Sequence, residues 1–395
     1  MDAVKGHCDP AFAAVREALA DVLAEPGELG AAVSVMVGGR SVVDVWGGFA
    51  DTARWRRWEH DTRCCVFSAG KGPLAILAHL VVAAGRLSLD SPVHEVWPEF
   101  AAGDKAGDKA GDKAGDKDGG KDRVTLRDLL THRAGLPAVR ADLPAGAMFD
   151  WTAMTSALAA ERPWWTPGTR HGYHLTTFGW LVGEVVRRAT GAAVPDAMRT
   201  LLTGPVGSGF TYGVATGDVA ECPPPQPAQP AANAPMDVLP EPSAALIRAL
   251  TNPPDMLMPD LERSAQWRAA VIPASNGYAT ARDLTAVYAV MSTPERLPDA
   301  VLADLVTEQA HGPDEVLGET SRFSCGLMLP GELRPFGRGG RVAGHSGTGG
   351  ALAFADVDAG LAFTFVPNRL LTSGVGGDPR WPRLLDAVYG CVGAA

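Results

Sequence analysis

Hydrophobic positions along the chain switch between two spacings, and the switches predict the elements. Phe12, Val15, Leu19, Val22 and Leu23 recur at helical spacing within residues 10–25, so an amphipathic helix opens the chain. Residues 31–37 and 41–45 then read as strands joined by Gly38-Gly39, a pair that accepts the positive φ of a tight turn. Residues 68–84 read as a second helix, with Pro73 tolerated in its first turn and Gly85 as its stop. Phe178, Leu181, Val182, Val185 and Val186 form a further stripe closed by Gly191. Thr280 caps a helix whose Leu284, Val287, Tyr288 and Met291 face inward. Residues 351–356 and 361–366 return to strand character, and a last helix is predicted over 383–389. Both ends thus mix helix and strand around a helical, loop-rich middle, which predicts an α+β fold whose ends share one sheet.

Two segments break the pattern. Residues 102–117 repeat Ala-Gly-Asp-Lys four times. Glycines and alternating charges bury little apolar area, so 102–122 is expected to be a solvated, mobile loop with no catalytic role. Residues 223–235 are proline-rich and read as an extended connector.

Composition narrows the function classes. The chain has 395 residues, 46% of them hydrophobic and 20% charged, enough for one large domain or two ordinary ones with a real core. A net charge of −10 offers no basic field for a nucleic-acid backbone. The apolar run 74–84 is too short to cross a bilayer, and Met1 to His7 carries no apolar leader core, so no membrane partner and a cytoplasmic location are expected. Six scattered cysteines without a C-x-x-C pair read as reduced, mostly buried thiols. Neither a metal nor another cofactor is predicted.

Lysine occurs only seven times among 35 basic residues, and outside the tract ending at Lys121 only Lys5 and Lys71 remain. That scarcity draws attention to Ser68-Ala69-Gly70-Lys71, an S-x-x-K at a helix start. Three residues make about one turn, so the Lys71 amine can reach the Ser68 hydroxyl and, if burial lowers its pKa, take the proton. The helix N-terminus favours an oxyanion there. Tyr173 lies just before the Phe178 helix; near an ammonium, a tyrosine can lose its proton below its ordinary value of about 10 and act as base and acid. Taken alone it reads equally as a core aromatic. His171 and His174 flank it without a third metal ligand nearby. Gly344-His345-Ser346-Gly347-Thr348-Gly349-Gly350 is a small-residue run whose Thr348 N–H, paired with that of Ser68, could form an oxyanion hole. It has neither nucleotide-loop spacing nor the final glycine of G-x-S-x-G.

An S-x-x-K, a tyrosine about 100 residues later, and a small-residue strand near the C-terminus form an ordered trio. It resembles the class C β-lactamase-like serine hydrolases of the penicillin-binding-protein/β-lactamase superfamily, which include family VIII carboxylesterases and related acyltransferases. Gly85-Arg86-Leu87-Ser88-Leu89-Asp90-Ser91-Pro92-Val93, Leu129-Leu130-Thr131-His132-Arg133-Ala134-Gly135-Leu136-Pro137, Pro167-Gly168-Thr169 and Asn276-Gly277-Tyr278-Ala279-Thr280-Ala281-Arg282-Asp283-Leu284 are similar to further family blocks. The resemblance implies an antiparallel sheet flanked by helices, built from 1–67 and 275–395, and an inserted mostly helical domain, 68–274, with the site between them.

Departures shape the functional expectation. Leu175 stands where the family's Y-x-N has asparagine, and His345-Ser346-Gly347 stands where β-lactamases have K-T-G. Both changes remove groups that hold a β-lactam or peptide, whereas ester chemistry needs only nucleophile, base and oxyanion hole. The expected activity is a serine carboxylesterase acting on small-molecule esters through an acyl-enzyme. An acyltransferase that passes the acyl group to a hydroxyl or amine is the alternative, ahead of a weak β-lactamase or a non-catalytic binding module. Ser68, Lys71 and Tyr173 are the expected catalytic groups. His345, Ser346, Gly347, Leu175 and Trp151 are the expected substrate contacts. His345 reads equally as a hydrogen-bonded strand residue, and Trp164 and Trp165, like Trp151, as core.

Overall fold

The computed structural model describes residues 4–393 except 102–119, 215–216, 218, 225, 228–240, 333 and 373–376. In chain order the elements used below are β1 (Lys5–Cys8), α1 (Ala13–Ala24), β2 (Gly30–Val37), β3 (Arg40–Gly48), β4 (Cys64–Phe67), α2 (Lys71–Ala83), α3 (Trp151–Ala160), α4 (Thr177–Thr190), β5 (Thr211–Tyr212), β6 (Gly277–Ala279), α5 (Ala281–Ser292), β7 (Val342–Ser346), β8 (Leu352–Asp356), β9 (Leu361–Pro367) and α6 (Trp381–Val392).

Six strands form one antiparallel sheet in the order β1-β3-β2-β9-β8-β7. Its centre is the pairing of β2 with β9, where Val35 lies opposite Phe363, so the two chain ends do share a sheet. Gly38 and Gly39 turn β2 into β3 at φ 56° and 78°. The small sheet β4-β6-β5 is antiparallel as well, and its middle-segment strand β5 lies against β6.

Strand alternation sorts the core into two layers. Leu352, Phe354, Leu361, Phe363 and Phe365 pack with Val15, Leu19, Leu384 and Val388 of α1 and α6. Ala353, Ala355 and Ala362 face the opposite way, toward α5, with Leu284 and Val287. Methyl-sized residues on that face let a helix lie close on the sheet; the larger face accommodates two helices at its rim. α5 begins with a capping box in which Thr280 and Asp283 satisfy each other's N–H, and α4 ends on Gly191 at φ 70°.

The middle segment departs from expectation at one point. The repeat tract lies outside the described residues, but Lys121 beyond it, expected in the same solvated loop, is buried, and its Nζ donates to Leu158 O, Ala159 O and Glu161 O at 2.6, 2.6 and 2.9 Å. The ammonium thereby meets the C-terminal carbonyls of α3, where the helix dipole favours a cation. Of the proline-rich connector, Gln226–Pro227 pairs in parallel with Leu371–Thr372. All six cysteines are free thiols, five of them buried. Among the described residues no helix is long and apolar enough to cross a membrane.

Because Ala355 faces α5 at full burial, Ala355→Leu is expected to overpack that layer and lower unfolding free energy by about 1–3 kcal/mol. Urea denaturation checks this as a lower midpoint with an unchanged slope; an unshifted midpoint would contradict the close packing.

Candidate active site

Strand β4 ends in a strained residue. Phe67 sits at φ 47°, ψ −131°, just beyond a register shift in the β4–β6 pairing. The chain then enters a 3-10 turn, Ser68–Gly70, which continues as α2. The predicted helix is therefore present with a tighter first turn, and a 3-10 turn brings residues three apart almost into line. Lys71 Nζ lies 3.0 Å from Ser68 Oγ. α2 is buried nearly all round, and Lys71 is fully buried with it.

Two main-chain carbonyls complete the lysine's surroundings: Nζ donates to Leu175 O at 2.7 Å and Ala274 O at 2.9 Å. Leu175 thus contributes its backbone, and in this respect the missing asparagine amide has a substitute; its side chain is not among the residues lining the cleft. Burial pushes the Lys71 pKa well below the lysine range.

Tyr173 reaches the same point from the loop before α4. Its ring covers the amine, with Nζ 4.8 Å from the ring centroid. It is stacked on Phe323 at 6.0 Å, 3° from parallel. The phenol oxygen is buried without a hydrogen-bond partner among the described residues. Burial raises its pKa, opposed by the neighbouring Ser68 hydroxyl and the more distant Arg334 charge. The amine meets the ring face and not the phenol oxygen, and burial moves the phenol's pKa upward, opposite to the direction expected from a neighbouring ammonium.

Sequence reasoning missed two supports of Tyr173. Asp314, buried in the hairpin between Ala310–Pro313 and Thr320–Phe323, accepts the Tyr173 N–H at 3.0 and 3.1 Å, along with N–H groups of Val316 and Leu317 and the Ser321 hydroxyl. It lies 141 residues from Tyr173 and carries no local signal. His132, at φ 59° inside a block noted only for its resemblance, packs its ring 5.1 Å from Tyr173 and 4.6 Å from Phe323.

Hydrogen bonds fix the imidazole tautomers. His132 Nδ1 accepts from the His174 N–H, and His174 Nε2 accepts from the Leu136 N–H, leaving His174 Nδ1–H for Gly172 O. Burial drives His132 well below the histidine range and His174 to about 4. His171 instead bonds Ser321, so the two histidines beside Tyr173 have separate partners. Neutral groups therefore surround the amine.

The small-residue run lies alongside β4. A Cβ on Gly347 would collide with Val66 O, so glycine permits the approach. Ser346, Gly347 and Thr348 line a cleft of about 260 Å³ together with Ser68, Tyr173 and Met328. Arg334 is its one charged lining residue among those described. A neighbouring cavity of about 510 Å³ shares Leu317, Met328 and Arg334 with it. Neither Ser68 N–H nor Thr348 N–H donates to a main-chain carbonyl among the described residues.

Besides the Leu175 side chain, two expected substrate contacts are placed elsewhere. His345 is absent from the cleft lining; strand alternation turns it behind Tyr173, 5.9 Å between centroids, where its Nδ1 bonds Ser346 O and burial lowers its pKa to about 3. Trp151 is also absent from the cleft lining, its Nε1 donating to the buried Glu184 at 2.7 Å and so tying α3 to α4. Trp164 and Trp165 likewise bond backbone carbonyls, of Ala138 and Arg170, outside the cleft.

The Beta-lactamase family model matches residues 15–387. Esterase/beta-lactamase LipL of Mycobacterium tuberculosis (strain ATCC 25618 / H37Rv) is 32% identical, the alignment covering 93% of this chain and 84% of LipL. A family VIII carboxylesterase structure superposes with a TM-score of 0.84 at 31% identity, covering 98% of this chain and 99% of that one. A penicillin-binding-protein homologue from Caulobacter crescentus gives 0.83 at 32%, with the same coverage. Because the family match runs through both halves of the main sheet and the segment between them, the whole fold is shared, and the chain belongs to the Beta-lactamase family of serine hydrolases.

Proposed function

We propose that this enzyme hydrolyses small-molecule carboxylic esters through an acyl-enzyme on Ser68. The carrying observation is the Lys71 amine, buried between two carbonyls and one hydroxyl. A neutral amine has two N–H bonds and one lone pair. Leu175 O and Ala274 O take the two N–H bonds, and the lone pair is left facing Ser68 O–H. Lys71 is therefore the base: it accepts the serine proton as Oγ attacks the ester carbonyl. The resulting ammonium is held by the same two carbonyls. The oxyanion is received by the Ser68 N–H, in the turn that leads into α2, and the Thr348 N–H, in the run that follows β7.

Tyr173, kept as a phenol, donates its proton to the departing alkoxide and recovers one from the Lys71 ammonium beneath its ring. Water then attacks the acyl-enzyme with Lys71 again taking the proton; as the bond between the acyl carbon and Ser68 Oγ breaks, Lys71 passes that proton to Oγ, which restores the hydroxyl and the neutral amine. Ser346 and Gly347 line the cleft in positions suited to substrate contact, and His345 supports Tyr173 from behind. Since His345 stays neutral, the position that carries lysine in K-T-G offers no fixed charge to a β-lactam carboxylate, which places ester hydrolysis ahead of β-lactam hydrolysis. A second reading, acyl transfer to a hydroxyl or amine, draws on the adjoining 510 Å³ cavity, which gives an acceptor room beside the acyl group.

Ser68→Ala should lower kcat/KM for 4-nitrophenyl butyrate at least ~10³-fold, and a fluorophosphonate should label Ser68; a label elsewhere, or retention of a few per cent of activity or more, refutes the assignment. Tyr173→Phe should cost alkyl esters on the order of 10²-fold or more, and 4-nitrophenyl esters far less, because nitrophenolate departs without a proton; equal losses would remove Tyr173 from that role. The base acts when unprotonated and its pKa is lowered. Acylation, measured as kcat/KM, should therefore rise with pH and level off well below the ordinary lysine value of about 10.4. A rise continuing to that value would contradict a neutral buried amine.

A further inference from the structure

The turn that carries Thr348 is anchored by Arg380, beneath it, and by Trp381, which also lines the cleft. Gly347 O accepts the Gly350 N–H at 3.1 Å, Gly349 O accepts Arg380 Nη2 at 2.7 Å, and Gly350 O accepts Trp381 Nε1 at 2.8 Å. Gly349 and Gly350 adopt φ 82° and 104°, where only glycine is unstrained, and a Cβ on Gly350 would collide with Asp378 and Arg380. Such a turn, with Thr348 exposed at its tip, has little rigidity of its own.

Arg380 is 1% exposed, yet all five of its N–H donors are used. Nε and Nη2 grip Asp378 at 2.8 and 2.6 Å. Nη1 reaches Glu28 Oε2 at 3.2 Å and Arg369 O at 3.1 Å, and the second Nη2 hydrogen goes to Gly349 O. Arg369 also bonds Glu28, so two arginines balance two buried carboxylates. A buried ion network is seldom more stable than apolar packing of equal volume. Its position beneath a glycine turn beside the nucleophile suggests a use other than stability.

We infer that Arg380 and Trp381 are positioning residues that aim the Thr348 N–H at the oxyanion formed on Ser68. In a trans peptide the carbonyl and N–H point in opposite directions. Gly347 O is turned inward to Gly350 N–H, so the N–H of the same peptide, that of Thr348, is turned outward to the cleft. Gly350 keeps its place because its own carbonyl and that of Gly349 are tied to Trp381 and Arg380. The donor is thus oriented before the charge develops, which is what makes an oxyanion hole effective.

This inference rests on the acyl-enzyme reading above. The test uses the full chain with Trp381→Phe, which keeps a ring but removes the N–H, and Arg380→Lys, which keeps the charge but loses the fork. Active sites are counted by fluorophosphonate labelling, so a misfolded fraction does not enter kcat. Both variants should show kcat per labelled Ser68 lowered about tenfold, a fraction of the 10²–10³ seen when an oxyanion donor is deleted outright. Affinity for an alkyl trifluoromethyl ketone, which forms an oxyanion on the serine, should fall in step, while affinity for the unfluorinated ketone changes less than twofold. If kcat per site and trifluoromethyl ketone affinity both stay within twofold of wild type, the inference is overturned; should Arg380→Lys not fold, Trp381→Phe decides alone. An equal loss of affinity for both ketones would show a general distortion of the cleft and overturn it too. Full activity in Ser68→Ala is a separate result, and it would refute the acyl-enzyme reading instead.

Discussion

The site depends on the burial of one amine between carbonyls that cannot move away. Lys71 is brought out of water by the apolar helix it begins, and desolvation disfavours its charged form. Leu175 O and Ala274 O come from two segments distant in sequence from α2, so the amine is where the three segments meet. The second buried lysine shows what the arrangement selects. Lys121 meets three carbonyls, an acceptor for each N–H of an ammonium, at the end of a helix that favours positive charge. Lys71 meets two carbonyls and a hydroxyl, which suits a base. On the proposed reading, the same side chain serves structure in one place and proton transfer in the other, and one acceptor makes the difference.

Around that amine the protein keeps the surroundings uncharged. Burial holds His132, His174 and His345 neutral, and the hydrogen bonds of His132 and His174 settle which nitrogen carries the proton. Apart from Arg334, which lines the cleft, the fixed charges named above lie one layer further out. Asp314 grips the backbone of Tyr173 without touching its phenol, and the Glu28–Arg380–Asp378 network grips the glycine turn without touching the cleft. In both cases charge is used for rigidity at a distance from the reacting atoms, where a stray field would alter the acid–base balance.

The main sheet supplies the frame by a simple division of side-chain size. Alanines at 353, 355 and 362 let α5 lie close, and the leucines and phenylalanines between them fill the space under α1 and α6. β7 and β4 are thereby held so that the run after Ser346 passes the end of β4, with Gly347 against Val66.

Much of this was legible in the sequence. The strand pair around Gly38-Gly39, the alternation in 351–366, the caps at Thr280 and Gly191, and the three-residue spacing of Ser68 and Lys71 are local patterns, and backbone geometry converts each directly into structure. Tyr173 was legible only through family resemblance, since a tyrosine before a helix is commonplace. Trp151 was misplaced because an aromatic's position in sequence does not say which side of a helical layer it faces, and Glu184 drew it away from the cleft. The repeat tract hid Lys121 because composition describes a segment's average and not the fate of its last residue. What the amino-acid order determined by itself was that a serine and an amine would stand one turn apart. What surrounds that amine was decided by burial and by carbonyls 104 and 203 residues away, because protonation responds to the solvent and dipoles a group finds in space, and only the folded chain brings those together.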